Sequence, residues 1–409
     1  MKKLIQMIFS GEMYFTLFLT AGIFKSNFNW FPLDITILFF ILTAIVILKR
    51  LFLKPKIYIA QFFAILLMLL IVALMLLTYT YAPKTSYALT KTVSFIIFSF
   101  GSFVFSLFLF SYNLKKIQKF FEVFVLVSTL LSIIAIIEYF YPNQFLSVGL
   151  NTGIVIGLAR AVGISCIINL SYFLISNKEI RIKILCLSSL LLNISALILT
   201  ASRMAIISVV ISWILLIFLS TKIKNKKIYV DKNTKIIVPI FIFVIAFTIY
   251  LYIKGAFDKI LFRMTVLINE SNGGTSLNGR FDRYETALHM FIDKPIFGNG
   301  IGSFSYVYGG VTASEYPHNI FLEVISEMGL IGLIGLLFLI VYVIYRYIKI
   351  NTDKSYETMK LSVSILLISL FLFLSVNSSG DLVENRIFFA ILGLIISYSI
   401  SFRLDDKKL

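Results

Sequence analysis

The sequence predicts an all-α polytopic membrane protein of about twelve transmembrane helices, on three observations. Of 409 residues, 59% are hydrophobic and 14% charged, and the mean hydropathy is +0.96. Soluble domains carry about 25% charged residues. Apolar runs of the length a bilayer demands, about 20 residues, recur along most of the chain, and the lysines and arginines sit in short runs between them. The formal net charge of +17 therefore reads as cytoplasmic loops beside anionic lipid. No nucleic-acid partner is expected.

In chain order the expected spans are residues 4–24, 30–48, 57–81, 92–112, 120–141, 161–176, 184–200, 204–220, 236–253, 319–345, 361–377 and 387–402. They are expected to form one membrane domain over residues 1–409. Met1-Lys2-Lys3 ahead of an apolar run resembles a signal sequence, which so polytopic a chain is expected to keep as its first span. No fixed-period repeat supports an inverted-repeat transporter. With Met1 in the cytoplasm, 25 of the 37 lysines and arginines fall in inside segments and six in short outside loops. The other six lie in one long loop, residues 254–318, between the ninth and tenth spans, and the rule discounts long loops. Both termini are thus expected in the cytoplasm and the long loop on the outer or periplasmic side.

Cys166 and Cys186 fall inside apolar segments, and His289 and His318 are the only histidines. No redox or metal-ligand spacing exists, so no metal or cofactor is expected.

Polar chemistry gathers between Gly279 and Gly335. Phe281, Tyr284, Leu288, Phe291 and Ile292 have helical spacing, which predicts an amphipathic helix over residues 281–293 lying in the membrane interface. The Gly/Ser/Asn-rich stretch at 271–279 before it is expected to be mobile. Pro295 ends the helix, and Gly298-Asn299-Gly300-Ile301-Gly302 is a turn-rich segment. Pro317 suits a first helical turn, with Ser314 or Glu315 as cap, so His318 is expected near the N-terminus of the tenth span. The positive helix end lowers an imidazole pKa, and a neutral imidazole outside the bilayer can serve as general base. The blander reading is an interfacial histidine bonded to loop backbone. Asn319, Glu323 and Glu327 share one face below it. Carboxylates inside a span are costly and must face protein or a wet cavity. Glu323 would orient His318 or bind sugar hydroxyls; the structural alternative is a pair with Arg203 or Arg386.

Arg160 enters the sixth span from outside. Arg203 follows Thr200-Ala201-Ser202, where Ser202 can cap the eighth span and leave Arg203 among free backbone N–H groups, a setting that favours phosphate. Arg280 and Arg283 add cations from the long loop. Singly, each is an interfacial arginine; with His318 they suit a lipid-linked pyrophosphate. His289, on the polar face of the amphipathic helix, reads as a structural residue, and for Glu12, Asp34 and Glu138, intramembrane or boundary acids, structure alone is a sufficient role. Asp381, Glu384 and Arg386 form a solvated turn or join the site. Gly329, Gly332 and Gly335 read as helix-packing positions.

These residues resemble the O-antigen ligase / O-antigen polymerase superfamily of bacterial envelope glycosyltransferases. The resemblance rests on Thr200-Ala201-Ser202-Arg203, on Gly279-Arg280 running through Tyr284 and Ala287 to Asp293-Lys294-Pro295-Ile296-Phe297-Gly298, and on His318-Asn319 followed by Leu322-Glu323, Glu327 and Gly329-Leu330-Ile331-Gly332. It implies a GT-C-like membrane fold in the bacterial inner membrane and a metal-independent, inverting transfer at its outer face. The implied donor is a glycan on undecaprenyl pyrophosphate; the acceptor is a glycan or lipid-linked glycan, with membrane lipids and envelope polysaccharide assembly proteins as further partners. By motif position His318 would be the base, and Arg203 and Arg280 would hold the pyrophosphate, with Arg160 a looser match. A polysaccharide polymerase of O-antigen or capsule is the leading expectation. Its rival is a ligase acting on lipid A–core or another acceptor. A lipid-linked glycan flippase is the reading from another class, and a non-catalytic assembly partner a third.

Overall fold

The computed structural model describes residues 6–53, 55–141, 147–148, 155–175, 180–224, 227–230, 246, 275–350 and 356–406. The helices are α1 (Gly11–Phe24), α2 (Ile35–Leu53), α3 (Ile59–Tyr79), α4 (Ser86–Phe110), α5 (Leu114–Phe140), α6 (Val155–Ile175), α7 (Ile180–Leu199) and α8 (Arg203–Ser220), then α9 (Thr275–Asp293), α10 (Ser303–Gly309), α11 (Ile320–Ile348), α12 (Tyr356–Val376) and α13 (Arg386–Asp406). One short antiparallel hairpin, Thr221–Lys224 with Lys227–Val230, interrupts the helical pattern. Eleven of the twelve expected spans fall on helices. The ninth, 236–253, lies outside the described residues save for residue 246, as does the first part of the long loop, 254–274. Among the described residues nine helices are long and apolar enough to cross a membrane; α1 and α8 are shorter, so the count of twelve is not reproduced.

Two boundaries move, and both moves matter. Thr85 accepts the Ala88 N–H at 3.1 Å and starts α4 ahead of the expected residue 92. This places Lys91, which the sequence assigned to an outside loop, inside a buried helix. The amphipathic helix α9 starts at Thr275, so the end of the stretch expected to be mobile is helical.

By their contacts the residues form two units, each of three chain segments. The first comprises Met1–Phe39, Gln118–Val266 and Asn351–Ser375. Its centre is α6, buried along its length and packed on α7 and α8. Gly163 lies against the Phe371 ring of α12. Side-chain bonds link its helices, as between Ser132 and Asn193 (3.1 Å) and between Thr129 and Ser189 (2.6 Å). Each of its boundary acids has a partner in the fold: Glu12 pairs with Lys119 at 3.3 Å, Asp34 with Lys25 at 3.6 Å, and Glu138 accepts the Val148 N–H at 2.7 Å.

The second unit comprises Phe40–Ile117, Leu267–Ile350 and Val376–Leu409. Here α13 packs along α4, and α11 packs against α3, α9 and α13. The outward face of α3 carries exposed Phe62, Phe63, Leu66, Leu70 and Leu77. So long an apolar stripe is what a helix shows to lipid.

Helix α11 is broken at Gly329, which has φ +64° and ψ −162°. The residues after α9 fill the break. Asn299 and Gly300 donate their N–H groups to the carbonyls of Ser326 and Glu327 (3.1 and 2.9 Å), and Leu330 and Ile331 donate to Pro295 and Ile296 (2.8 and 3.3 Å). Unpaired backbone groups cost several kcal/mol in hydrocarbon, so this exchange is what lets the span be interrupted. Expected as a helix-packing position, Gly329 instead serves loop insertion. A Cβ there would lie 2.4 Å from the Ile296 carbonyl oxygen, and one at Gly298 would lie 2.5 Å from the Gly329 nitrogen. At Gly335 the nearest atoms are Ile71 and Leu74 side chains at 3.6 and 3.7 Å, which is ordinary helix packing.

Gly329→Ala is therefore expected to cost about 2–5 kcal/mol from a left-handed backbone and the clash together. It should lower the Tm of the detergent-purified protein clearly, while Gly335→Ala leaves it nearly unchanged.

Candidate active site

His318 stands immediately before α11. The helix is capped by Asn319, whose Oδ1 accepts the Phe321 and Leu322 N–H groups at 2.9 and 3.1 Å. This corrects the expected cap at Ser314 or Glu315 and moves Pro317 outside the helix. His318 itself has φ +58°, a left-handed conformation uncommon for histidine. Its ring meets Tyr316 edge-on at 4.5 Å, and its Nδ1 is buried with no hydrogen-bond partner among the described residues. The pKa is pushed down from 6.5 to about 4, first by burial, then by the Arg283 and Arg280 charges, with Glu315 opposing. The direction matches the expectation; the cause is burial and arginines rather than the helix end.

Both arginines come from α9. One face of that helix packs Ala287 and Met290 against Phe304, Tyr308 and Leu322, while Phe281, Leu288 and Ile292 point outward and exposed. An apolar outward stripe is the signature of an interfacial helix. Arg283 donates to the Gly279 carbonyl and to the Glu315 carboxylate, both at 2.7 Å, and its guanidinium lies 4.7 Å from the Tyr308 ring centre. Two of its nitrogens are thus committed to protein. Arg280 is half-buried and makes no hydrogen bond or ion pair with the described residues, so it is the cation better placed to meet an incoming anion. His289 sits on the exposed side beside Glu285 at 3.6 Å, on the polar face as expected.

Glu323 does not reach His318. Its carboxylate, fully buried, lies 2.6 Å from the Lys91 ammonium and accepts the Leu382 N–H at 3.0 Å. Glu327 takes the other side of the same lysine at 2.7 Å, leaving its Oε1 buried without a partner among the described residues. Neither Arg203 nor Arg386 is the counter-charge the sequence suggested. Lys91 was missed because it fell one residue outside an expected span; Thr85, a helix-capping residue followed by an apolar helix, was the signal that could have found it. Asp381 accepts from Tyr87 at 3.2 Å and from the Val383 and Glu384 N–H groups, so it builds the turn before α13.

Arg160 and Arg203 belong to the first unit. Arg160 is buried and donates from Nε to Ser375 at 3.1 Å. Arg203 is exposed at the first residue of α8, after a turn in which Ala201 has φ +53°. Ser202 occupies the cap position, its carbonyl accepting the Ile206 N–H at 3.1 Å. The structure thus brings His318, Arg280 and Arg283 together, with Glu323 in the same unit but facing a lysine. No group of three or more potential metal-ligating side chains occurs among the described residues.

Removing the Lys91 cation strands two buried carboxylates, and breaking such a cluster costs about 3–5 kcal/mol. Lys91→Met is expected to lower Tm and yield sharply. Adding Glu323→Gln and Glu327→Gln to it should recover part of the loss, as thermal unfolding in detergent would record.

Residues 188–337 match the family model described as O-antigen ligase. The match takes in Arg203, all of α9, His318 and the broken half of α11, and leaves out Arg160, Lys91 and Asp381. No curated protein matches the chain. Over residues 188–337 this polytopic membrane protein is thus similar to the O-antigen ligase family.

Proposed function

We propose that this protein is a polysaccharide polymerase, moving a growing glycan from undecaprenyl pyrophosphate onto the next lipid-linked repeat unit at the outer face of the bacterial inner membrane. The observation that carries a transfer reaction is His318, a neutral imidazole with an unpartnered buried nitrogen, held in a left-handed conformation beside two arginines within the family-matched segment. Left-handed backbone at a non-glycine residue costs about 1–3 kcal/mol and collects at functional sites. A histidine kept there is kept for its side chain.

In the transfer, the acceptor hydroxyl oxygen bonds to the anomeric carbon as the carbon–oxygen bond to pyrophosphate breaks, with inversion. The hydroxyl proton passes to His318, and the lipid pyrophosphate leaves with the bonding electron pair. Arg280 takes part of its charge. Arg283, already tied to Glu315, holds α9 and the local positive field in place. Glu323 anchors α11 through Lys91 rather than orienting the base. Proton transfer to a positioned base contributes about 10²–10⁴-fold, and arginine neutralisation of the leaving group needs no metal ion.

These residues do not separate a polymerase from a ligase, but the lipid-linked glycans left after loss of the protein do. Single repeat units on lipid are the expected result; long chains stranded on lipid would identify a ligase, and an unchanged lipid pool would sink both. His318→Ala is expected to reduce transfer at least about 100-fold. His318→Gly should do the same while holding or raising Tm, because glycine relieves about 1–2 kcal/mol of left-handed strain. In the free enzyme the imidazole protonates near pH 4, so kcat/KM should stay flat from neutral down to about pH 5. Arg280→Gln removes a charge that lowers this pKa, and its acid limb should shift upward. An acid limb near 6.5 in the unmodified protein would remove His318 as the base.

A further inference from the structure

At the end of α11 remote from His318, the second unit carries an open cavity of about 450 Å³. Ile57 and Ile59 line it from the start of α3, Arg346 from the last turns of α11, and Ile400, Arg403 and Leu404 from the end of α13. The described residues of its wall include two guanidinium groups and no carboxylate. Arg346 is fixed in place: its Nε and Nη2 both donate to the buried Ser399 hydroxyl, at 3.1 and 2.8 Å. Arg403 is exposed and makes no hydrogen bond or ion pair with the described residues. The two cations are near enough to act on one another electrostatically, and like charges sharing a cavity call for an anion.

The apolar part of the wall says what kind of anion. Ile57 and Ile59 are 61% and 76% exposed, so the cavity runs out into surface suited to hydrocarbon. A free phosphate has no use for that surface; an amphiphile does. The charge bias that orients the chain also puts the start of α3 and the ends of α11 and α13 on the cytoplasmic side, and the structure gathers these same three ends around the cavity. The cytoplasmic leaflet is the one whose negative surface potential draws basic residues. We propose that this cavity seats the phosphodiester headgroup of an anionic phospholipid between Arg346 and Arg403, with an acyl chain lying along Ile57 and Ile59.

The test uses the full chain in phosphatidylcholine nanodiscs with and without added phosphatidylglycerol, read by native mass spectrometry of the lipids retained. The unmodified protein is expected to retain phosphatidylglycerol preferentially. Arg403→Gln should cut that preference about fivefold and the double variant with Arg346→Gln by about the square of that, at one basic residue's worth of surface attraction each. Inorganic phosphate should not compete. Arg403 bonds to nothing in the described fold, so the single variant decides the matter even where the double variant fails to fold. An unchanged preference in Arg403→Gln would reduce both arginines to helix-end residues and overturn the proposal. So would competition by inorganic phosphate, which would make this an anion site rather than a lipid site.

Discussion

A membrane helix interrupted in its course must hand its freed backbone groups to something other than water. In this chain the break at Gly329 hands them to residues 295–300, and four backbone hydrogen bonds close the exchange. The rest of the candidate site depends on it. Helix α9 runs directly into that inserted loop, so the position of its arginines relative to α11 is set by main-chain bonding rather than by flexible side chains. The Tyr81 hydroxyl, bonded to the Phe297 carbonyl at 2.7 Å, and the close seat of Gly300 on Ala82 hold the same loop from the far side. Backbone rigidity of this kind is what a transfer reaction requires of groups that must meet a donor and an acceptor in one geometry.

Two electrostatic environments lie along one stretch of chain and are built on opposite principles. Around Lys91 the charges are sealed in and mutually satisfied by Glu323 and Glu327, apart from one carboxylate oxygen. Around His318 cations face a neutral base with one nitrogen left unbonded. The first arrangement fixes the helix. The second leaves its positive field open, and in the proposed reaction a bound pyrophosphate would offset the same arginine charges that depress the imidazole, making it more basic.

Span positions and the candidate histidine were legible in the sequence because hydropathy and residue chemistry are local. Eleven expected spans fall on helices, and the amphipathic character of α9 follows from its 3.6-residue period. What was not legible is long-range pairing. Two carboxylates one turn apart in a span announce a need for a cation, but nothing local names Lys91, more than two hundred residues earlier. Gly329 carried the same signature as Gly335, small residues at helical spacing, yet one breaks the helix and the other packs it. The difference lies in the Gly298 backbone arriving from elsewhere in the chain. The Asn319 cap was readable in principle, but Pro317 drew the expected cap four or five residues too early.

The outward stripe of Phe281, Leu288 and Ile292, continued by exposed Ile296 and Phe297, bears on substrate choice. A helix with such a face settles at the level of the lipid headgroups, which is also the level at which a lipid presents its own pyrophosphate. Arg280 and Arg283 ride on that helix. In the proposed transfer the membrane itself would act as a height gauge: a donor held by its lipid tail would arrive already level with the arginines, whereas the same glycan pyrophosphate free in water would have to find that depth unaided. Discrimination in favour of membrane-bound donors then needs no pocket that reads the lipid chain.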